Sequence, residues 1–149
     1  MINDGADKAK RILLIDDHLA VRQGLKLLLA QEDYVVCGEA GSSAETLELI
    51  GSSRADLALL DISLGKENGL DCIAKLRRRG ISVLVYSMHE DDETIGKAFV
   101  AGANGYVSKR EQPDVLLTAM ADVLAGKSCI DPRVTRDMKR SGIGKRRED

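Results

Sequence analysis

Five short apolar runs punctuate the chain: Ile12-Leu13-Leu14-Ile15, Tyr34-Val35-Val36-Cys37, Leu57-Ala58-Leu59-Leu60, Val83-Leu84-Val85-Tyr86 and Tyr106-Val107, each bounded by Gly, Asp, Ser or Lys. Runs of this length without polar alternation predict strands buried on both faces. Between them, Ile95, Ala98, Phe99 and Gly102, then Leu116, Ala119, Met120 and Val123, recur at i, i+3, i+4, i+7 and predict helices. Weaker helical patterns are carried by Val21, Leu25 and Leu28, by Leu47 and Ile50, and by Leu70, Ile73 and Ala74. Strand and helix therefore alternate five times. Parallel strands need crossovers of this length, so the expected fold class is α/β: a doubly wound, five-stranded parallel sheet with helices on both faces.

Start and stop signals agree with that order. Asp16 and Asp17 precede the first helix and Ser42 and Ser43 the second, while Gly80, Gly102 and Gly126 close later ones. Residues 1–10 are polar and small, an expected disordered lead-in, and residues 11–126 form the expected domain. After Gly126 the periodicity stops, so residues 127–149 are expected to be a basic linker or tail. The stretch from Arg133 to Asp149 has seven Lys or Arg against three acids, whereas the chain as a whole has a net charge of −2. That tail lacks aromatic interleaving and any helix-turn-helix pattern, so no nucleic acid is expected to bind this chain itself.

With 149 residues, 44% hydrophobic and 31% charged, the composition fits one ordinary buried core. No run approaches the roughly 18 apolar residues a membrane span needs, and no signal peptide is legible, so a cytoplasmic location is expected. Cys37, Cys72 and Cys129 are odd in number and widely spaced, which predicts reduced packing residues rather than a metal site.

In open parallel sheets, ligands gather beyond the carboxyl ends of the strands. There the predicted strands end in Asp16-Asp17, Asp61, Ser87 and Ser108-Lys109. Three converging carboxylates in a partly buried site repel one another, and protonation or a cation must relieve that cost, with a divalent cation the expected remedy. Oxygen-only ligands, too few to form a closed cage, favour Mg²⁺. A calcium loop starting at Asp61 is disfavoured, because Gly65, Lys66 and Cys72 occupy its oxygen-ligand, glycine and glutamate positions. Lys109 offers a point charge and Ser87 a hydroxyl to phosphate oxygens. Carboxylates are effective nucleophiles toward phosphoryl groups, and Asp61, alone at the end of the central strand, is the best candidate. His89, two residues past Ser87, reads first as a surface or site-rim residue and is also a candidate to influence the water that hydrolyses a phosphoaspartate. His18 is assigned to the surface or the site rim.

The Asp16-Asp17-His18 run, Asp61, Ser87-Met88-His89 and Gly105-Tyr106-Val107-Ser108-Lys109 together resemble the receiver domain of response regulators, from Arg11 to about Gly126. Val21-Arg22-Gln23-Gly24-Leu25 and Tyr106-Val107-Ser108-Lys109-Arg110 resemble the branch usually joined to a LuxR/NarL-type helix-turn-helix output domain. The resemblance implies a flavodoxin-like fold with Asp61 as phosphoacceptor. It implies that Asp16, Asp17, Asp61 and the Ser63 backbone carbonyl bind Mg²⁺. It further implies that Lys109 and Ser87 contact the phosphoryl group, and that Ser87 and Tyr106 form a switch remodelling the face of the fourth helix, fifth strand and fifth helix. The donor it implies is a sensor histidine kinase, a histidine phosphotransfer protein or a small phosphodonor. A homodimer on phosphorylation and transcriptional control through an output domain are further implications. The domain itself is then a signalling phosphoacceptor, not a turnover enzyme.

Two positions depart from the family pattern, which often has proline where this chain has Gly65 and Arg110. A trans Lys109-Arg110 bond and a looser loop after Asp61 are expected. Singly, each motif has a plainer reading: Asp16-Asp17 as a helix N-cap pair, Ser87 as a turn residue, Lys109 as a solvated charge, Tyr106 as a core aromatic. Two rival functions stand beside the first. One is a phosphate-independent interaction module of the same fold, which would bind no Mg²⁺. The other is an aspartyl-phosphate phosphatase, disfavoured because its Asp-x-Asp spacing and a substrate-enclosing insertion are missing.

Overall fold

The expected strands form where the apolar runs stand, and the sheet they build is parallel throughout. The structure, a computed structural model, describes residues 9–130; most of the expected lead-in and nearly all of the expected basic tail lie outside the described residues. In chain order the elements are β1 (Lys10–Ile15), α1 (Leu19–Ala30), β2 (Tyr34–Ala40), α2 (Ser43–Ile50), β3 (Leu57–Leu60), β4 (Ser63–Leu64), β5 (Glu67–Asn68), α3 (Leu70–Arg78), β6 (Ser82–Ser87), α4 (Asp92–Ala101), β7 (Gly105–Ser108), α5 (Pro113–Leu124) and β8 (Cys129–Ile130). The main sheet runs β2-β1-β3-β6-β7-β8. Because β1 lies between β2 and β3, the chain reverses its winding there, leaving a crevice between the carboxyl ends of β1 and β3.

Strand alternation divides the core in two. Leu13 and Ile15 point to the face covered by α2, α3 and α4, with Ile73, Leu76, Ile95 and Tyr106. Ile12 and Leu14 point to the face covered by α1 and α5, with Leu25, Leu29, Leu116 and Met120. Both layers are buried, which is why the strands read as unbroken apolar runs. Helix ends follow local chemistry: the Ser42 hydroxyl accepts from Glu45 N–H at 3.1 Å, and Gly102 closes α4 in the left-handed region at φ 115°.

Four details differ from the sequence reading. Strand β2 continues through Gly38-Glu39-Ala40, because a register shift opposite Ile12 and Leu13 keeps it paired past the apolar run. In α2, Thr46 and Ile50 are buried while Leu47 is exposed; the Thr46 hydroxyl donates to the Ser42 carbonyl at 2.8 Å, which lets a polar residue take the inner face. The loop after Asp61 is not loose. Leu64 and Glu67 pair across a two-residue turn in which Gly65, at φ 63°, supplies the conformation such a turn needs. Finally, Cys129–Ile130, expected in the tail, forms a sixth strand alongside Gly105 and Tyr106, too short to register as a periodic pattern. The Lys109-Arg110 bond is trans, as every described peptide bond is, and all three cysteines are free. Among the described residues no helix is long and apolar enough to cross a membrane.

Close packing at β8 depends on Gly105. A Cβ there would lie 2.8 Å from the Cys129 carbonyl oxygen and 2.8 Å from Leu84 Cδ1. We therefore expect Gly105→Ala to cost about 1–3 kcal/mol of unfolding free energy in urea titrations. An unchanged midpoint would mean that β8 separates from β7 without cost.

Candidate functional site

Register in a parallel sheet fixes which strand ends are neighbours. Ile15 pairs with Leu60, and Asp61 N–H donates to the Ile15 carbonyl at 2.8 Å, so Asp16 and Asp61 follow adjacent strands at the same level. On the other side Leu60 pairs with Val85, and Ser87 with Ser108, bringing Ser87 and Lys109 to the same edge. The residues singled out in the sequence thus converge. Asp16, Asp61 and Ser87 are buried.

Lys109 is the centre of the cluster. Its Nζ donates to Asp16 Oδ2 at 2.7 Å and to Asp61 Oδ2 at 2.8 Å, with all three side chains less than a tenth exposed. The ammonium also lies 6.0 Å from the Tyr86 ring centroid. Burial pushes the Lys109 pKa down, but the hydrogen bonds to Asp16 and Asp61 outweigh it and the net shift is upward. Lys109 is therefore a buried counterion rather than a solvated charge.

Asp17 completes the acid group, yet one of its oxygens is left over. Asp17 Oδ1 is buried without a hydrogen-bond partner; His18 Nδ1 is 3.0 Å away but also 3.1 Å from Asp16 Oδ1, and one N–H cannot be aimed well at both. Neither acid caps the helix: the N-cap is His18, without a side-chain cap, and Asp16 Oδ1 accepts from His18 N–H at 2.9 Å. One ligand atom from each of Asp16, Asp17, His18 and Asp61 lies within 4.8 Å of the others. His18 was placed no nearer than the rim by sequence; its two-residue separation from Asp16 was the only available signal.

Three acids against one ammonium leave the cluster two charges short of neutrality. The donor set, mostly carboxylate oxygen with one orphaned atom, fits a hard divalent cation. Ser63, whose N–H donates to Asp61 Oδ1 at 3.0 Å, brings its backbone to the same acid.

The loops beyond β6 and β7 carry the remaining residues. Ser87 Oγ accepts from His89 N–H at 3.1 Å, and Tyr106, fully buried, donates its hydroxyl to the His89 carbonyl at 2.8 Å. Burial is the main cause pushing the Tyr106 phenol well above its ordinary range. His89 Nε2 lies 2.8 Å from Ser63 Oγ, bridging the loops after β3 and β6. Sequence reasoning missed Glu90. Its Oε2 accepts from Ser108 Oγ and lies 3.2 Å from Arg110 Nη1, while Arg110 N–H donates to Ser108 Oγ at 3.1 Å. Proline at position 110 would lack that N–H.

Residues 12–121 match the sequence profile of the response regulator receiver domain. The chain belongs to the receiver-domain family. The receiver is 37% identical over 127 residues to the nitrate/nitrite response regulator protein NarL of Escherichia coli K12, covering 83% of this chain and 59% of that protein. It is 39% identical over 126 residues to the DNA-binding transcriptional activator DevR/DosR of Mycobacterium tuberculosis H37Rv, covering 83% of this chain and 58% of the relative. It thus spans under two thirds of the length of these relatives. In structure it is similar to a LuxR-family two-component response regulator from Aurantimonas sp. SI85-9A1, with a TM-score of 0.85, 29% identity, and coverage of 91% and 99% of the two chains. These similarities fit the NarL-type branch and the flavodoxin-like architecture.

If Lys109 is the counterion of this receiver's acids, Lys109→Met should lose about 3–5 kcal/mol of stability in metal-free buffer at neutral pH. The parent should also lose stability at alkaline pH. A raised lysine pKa gives stabilisation that is complete below the ordinary value of 10.5 and disappears as the pH rises through the higher folded value. The variant should lack that alkaline loss. Urea midpoints across pH measure both, and a variant as stable as the parent would exclude the ammonium as the necessary partner.

Proposed function

We propose that this receiver takes a phosphoryl group onto Asp61 from a sensor histidine kinase, a histidine phosphotransfer protein or a small phosphodonor. The observation that carries this reading is the buried Lys109 ammonium shared by Asp16 and Asp61, beside the unpartnered oxygen of Asp17. Asp16, Asp17, Asp61 and the Ser63 carbonyl would hold Mg²⁺. Bound there, the cation offsets repulsion between the incoming phosphoryl oxygens and the acids. An Asp61 carboxylate oxygen forms the new bond to phosphorus, while the bond from phosphorus to the donor nitrogen or oxygen breaks and the donor leaves with that electron pair. Lys109 stays at the site and contacts a phosphoryl oxygen as a point charge. The domain holds the group as a signal, in an expected cytoplasmic setting.

Ser87 and Tyr106 are the proposed readout. Both hold the backbone of His89, one at its N–H and the other at its carbonyl, so turning the Ser87 hydroxyl toward a phosphoryl group would release one of those two ties. Tyr106 is already fully buried, so the change is assigned to the loop after β6 and to the surface of α4, β7 and α5. Relatives named as a nitrate/nitrite response regulator protein and a DNA-binding transcriptional activator support transcriptional control as the output; the helix-turn-helix output domain and the homodimer on phosphorylation rest on the family resemblance alone. The domain limits follow the same reading: a receiver over residues 11–126, with a lead-in before it and a basic linker after it.

His89 is proposed to influence hydrolysis of the phosphoaspartate. A groove of about 260 Å³, lined in part by Ser63, His89, Thr94 and Lys97, gives water room beside the Ser63–His89 pair. His89→Ala should change the phosphoryl half-life several-fold, and an unchanged half-life excludes the role.

Intact mass after incubation with a small phosphodonor and Mg²⁺ tests the main reading. We expect one labile phosphoryl adduct, absent in Asp61→Ala and with a chelator. Absence of both adduct and Mg²⁺ binding would favour the phosphate-independent interaction module. Steady release of phosphate from small phosphoesters would favour the phosphatase.

A further inference from the structure

The acid cluster is approached from behind by a side chain that touches none of its carboxylates. Arg22, in the first turns of α1, donates Nη1 to the main-chain carbonyl of Asp16 and Nε to Glu39 Oε1 at 2.9 Å. Glu39 stands on β2 opposite Leu14, and its second oxygen accepts from Lys26 Nζ at 2.7 Å. Lys26 holds the Glu39 carboxyl below its usual range against partial burial, with Arg22 adding to the effect. Arg22 is thus anchored to the neighbouring strand while it grips the loop.

The atom it grips gives the contact its meaning. The Asp16 carbonyl belongs to the peptide that joins Asp16 to Asp17, the covalent link between two of the expected cation ligands. On the other side of Asp16, its own N–H donates to the Ala40 carbonyl at 2.9 Å. The two contacts fix the peptides on either side of Asp16, and with them the directions of both acid side chains. The guanidinium reaches the carboxylate through Nε and the carbonyl through Nη1 at a fixed, planar spacing, whereas a lysine ammonium, even where it serves two acceptors as Lys109 does, holds no such spacing. A partly exposed Arg–Glu pair adds little stability by itself, so stability alone does not explain the arrangement.

We propose that Arg22 is a positioning residue for the divalent cation, setting the Asp16-Asp17 peptide by spanning Glu39 and the Asp16 carbonyl. The proposal rests on the reading of the acid cluster as the Mg²⁺ site. Mg²⁺ demands near-ideal octahedral geometry, and losing a group that orients its ligands typically weakens binding by about 10–100-fold. Charge alone predicts the opposite sign, since deleting a cation near three acids would tighten Mg²⁺ binding.

Calorimetric titration of Mg²⁺ into the whole chain separates these effects, with circular dichroism confirming the fold of each variant. We expect Arg22→Met to weaken Mg²⁺ about 10–100-fold, and Arg22→Lys to weaken it as well despite retaining the charge. Lys26→Met, which breaks the other half of the Glu39 ion pair, should leave Mg²⁺ affinity unweakened. Should Arg22→Met fail to fold, Arg22→Lys carries the test. Unchanged or tighter binding in the folded Arg22 variants overturns the proposal, as does equal weakening in Lys26→Met. No Mg²⁺ binding by the parent would overturn the cation reading itself, and this proposal with it.

Discussion

Three carboxylates share one end of a buried sheet, and their mutual repulsion is the constraint on which the rest of this structure depends. Asp16 and Asp61 are nearly inaccessible to water, so neither solvent nor salt screens them effectively. Lys109 answers part of that charge by donating to both. The remainder leaves a group of acids that could hold a metal ion. A neutral, self-satisfied site would have no such capacity. The local stability that hydrophobic packing supplies on both sides of the sheet holds the acids together despite their charge.

That packing also accounts for the convergence. Parallel strands in register end at a common level, so residues 45 or more positions apart become neighbours: Asp16 with Asp61, and both with Lys109. Each comes from a strand end or the residue directly after it, where the backbone is held by ladder bonds but the side chain points into the crevice. The bulged register between β1 and β2 brings Glu39 opposite Leu14 and within reach of Arg22. Scaffold and site are in this sense one object, since shifting the register would redirect the groups behind the acids.

The loops after β3, β6 and β7 are joined to one another by hydrogen bonds and an ion pair. His89 is held through its N–H by Ser87, through its carbonyl by Tyr106 and through its ring by Ser63. Next to it, Glu90 ties the same loop to Ser108 and Arg110. A change at Ser87 would therefore reach a fully buried tyrosine and the β7–α5 loop in a few bonded steps. In this chain the residue after Lys109 contributes an N–H and a guanidinium to that network, both of which proline lacks.

The sequence by itself determined the five principal strands, their alternation with helices, and the set Asp16, Asp17, Asp61, Ser87 and Lys109. Those features were legible because burial on both faces writes continuous apolar runs, and because strand ends in such a sheet share one crevice. Elements without a periodic signal were not legible. The two-residue strand at Cys129–Ile130 and the hairpin at Gly65 depend on partners elsewhere in the chain. Thr46 was hidden because a hydroxyl satisfied by a carbonyl one turn back behaves as an apolar residue. His18 read only as a surface or site-rim residue and Arg22 only as one position of a motif, while Glu39 and Glu90 carried no signal at all. Only tertiary structure could assign them, because a polar side chain's role is set by the atom it reaches, and that atom is brought near by the packing of other residues.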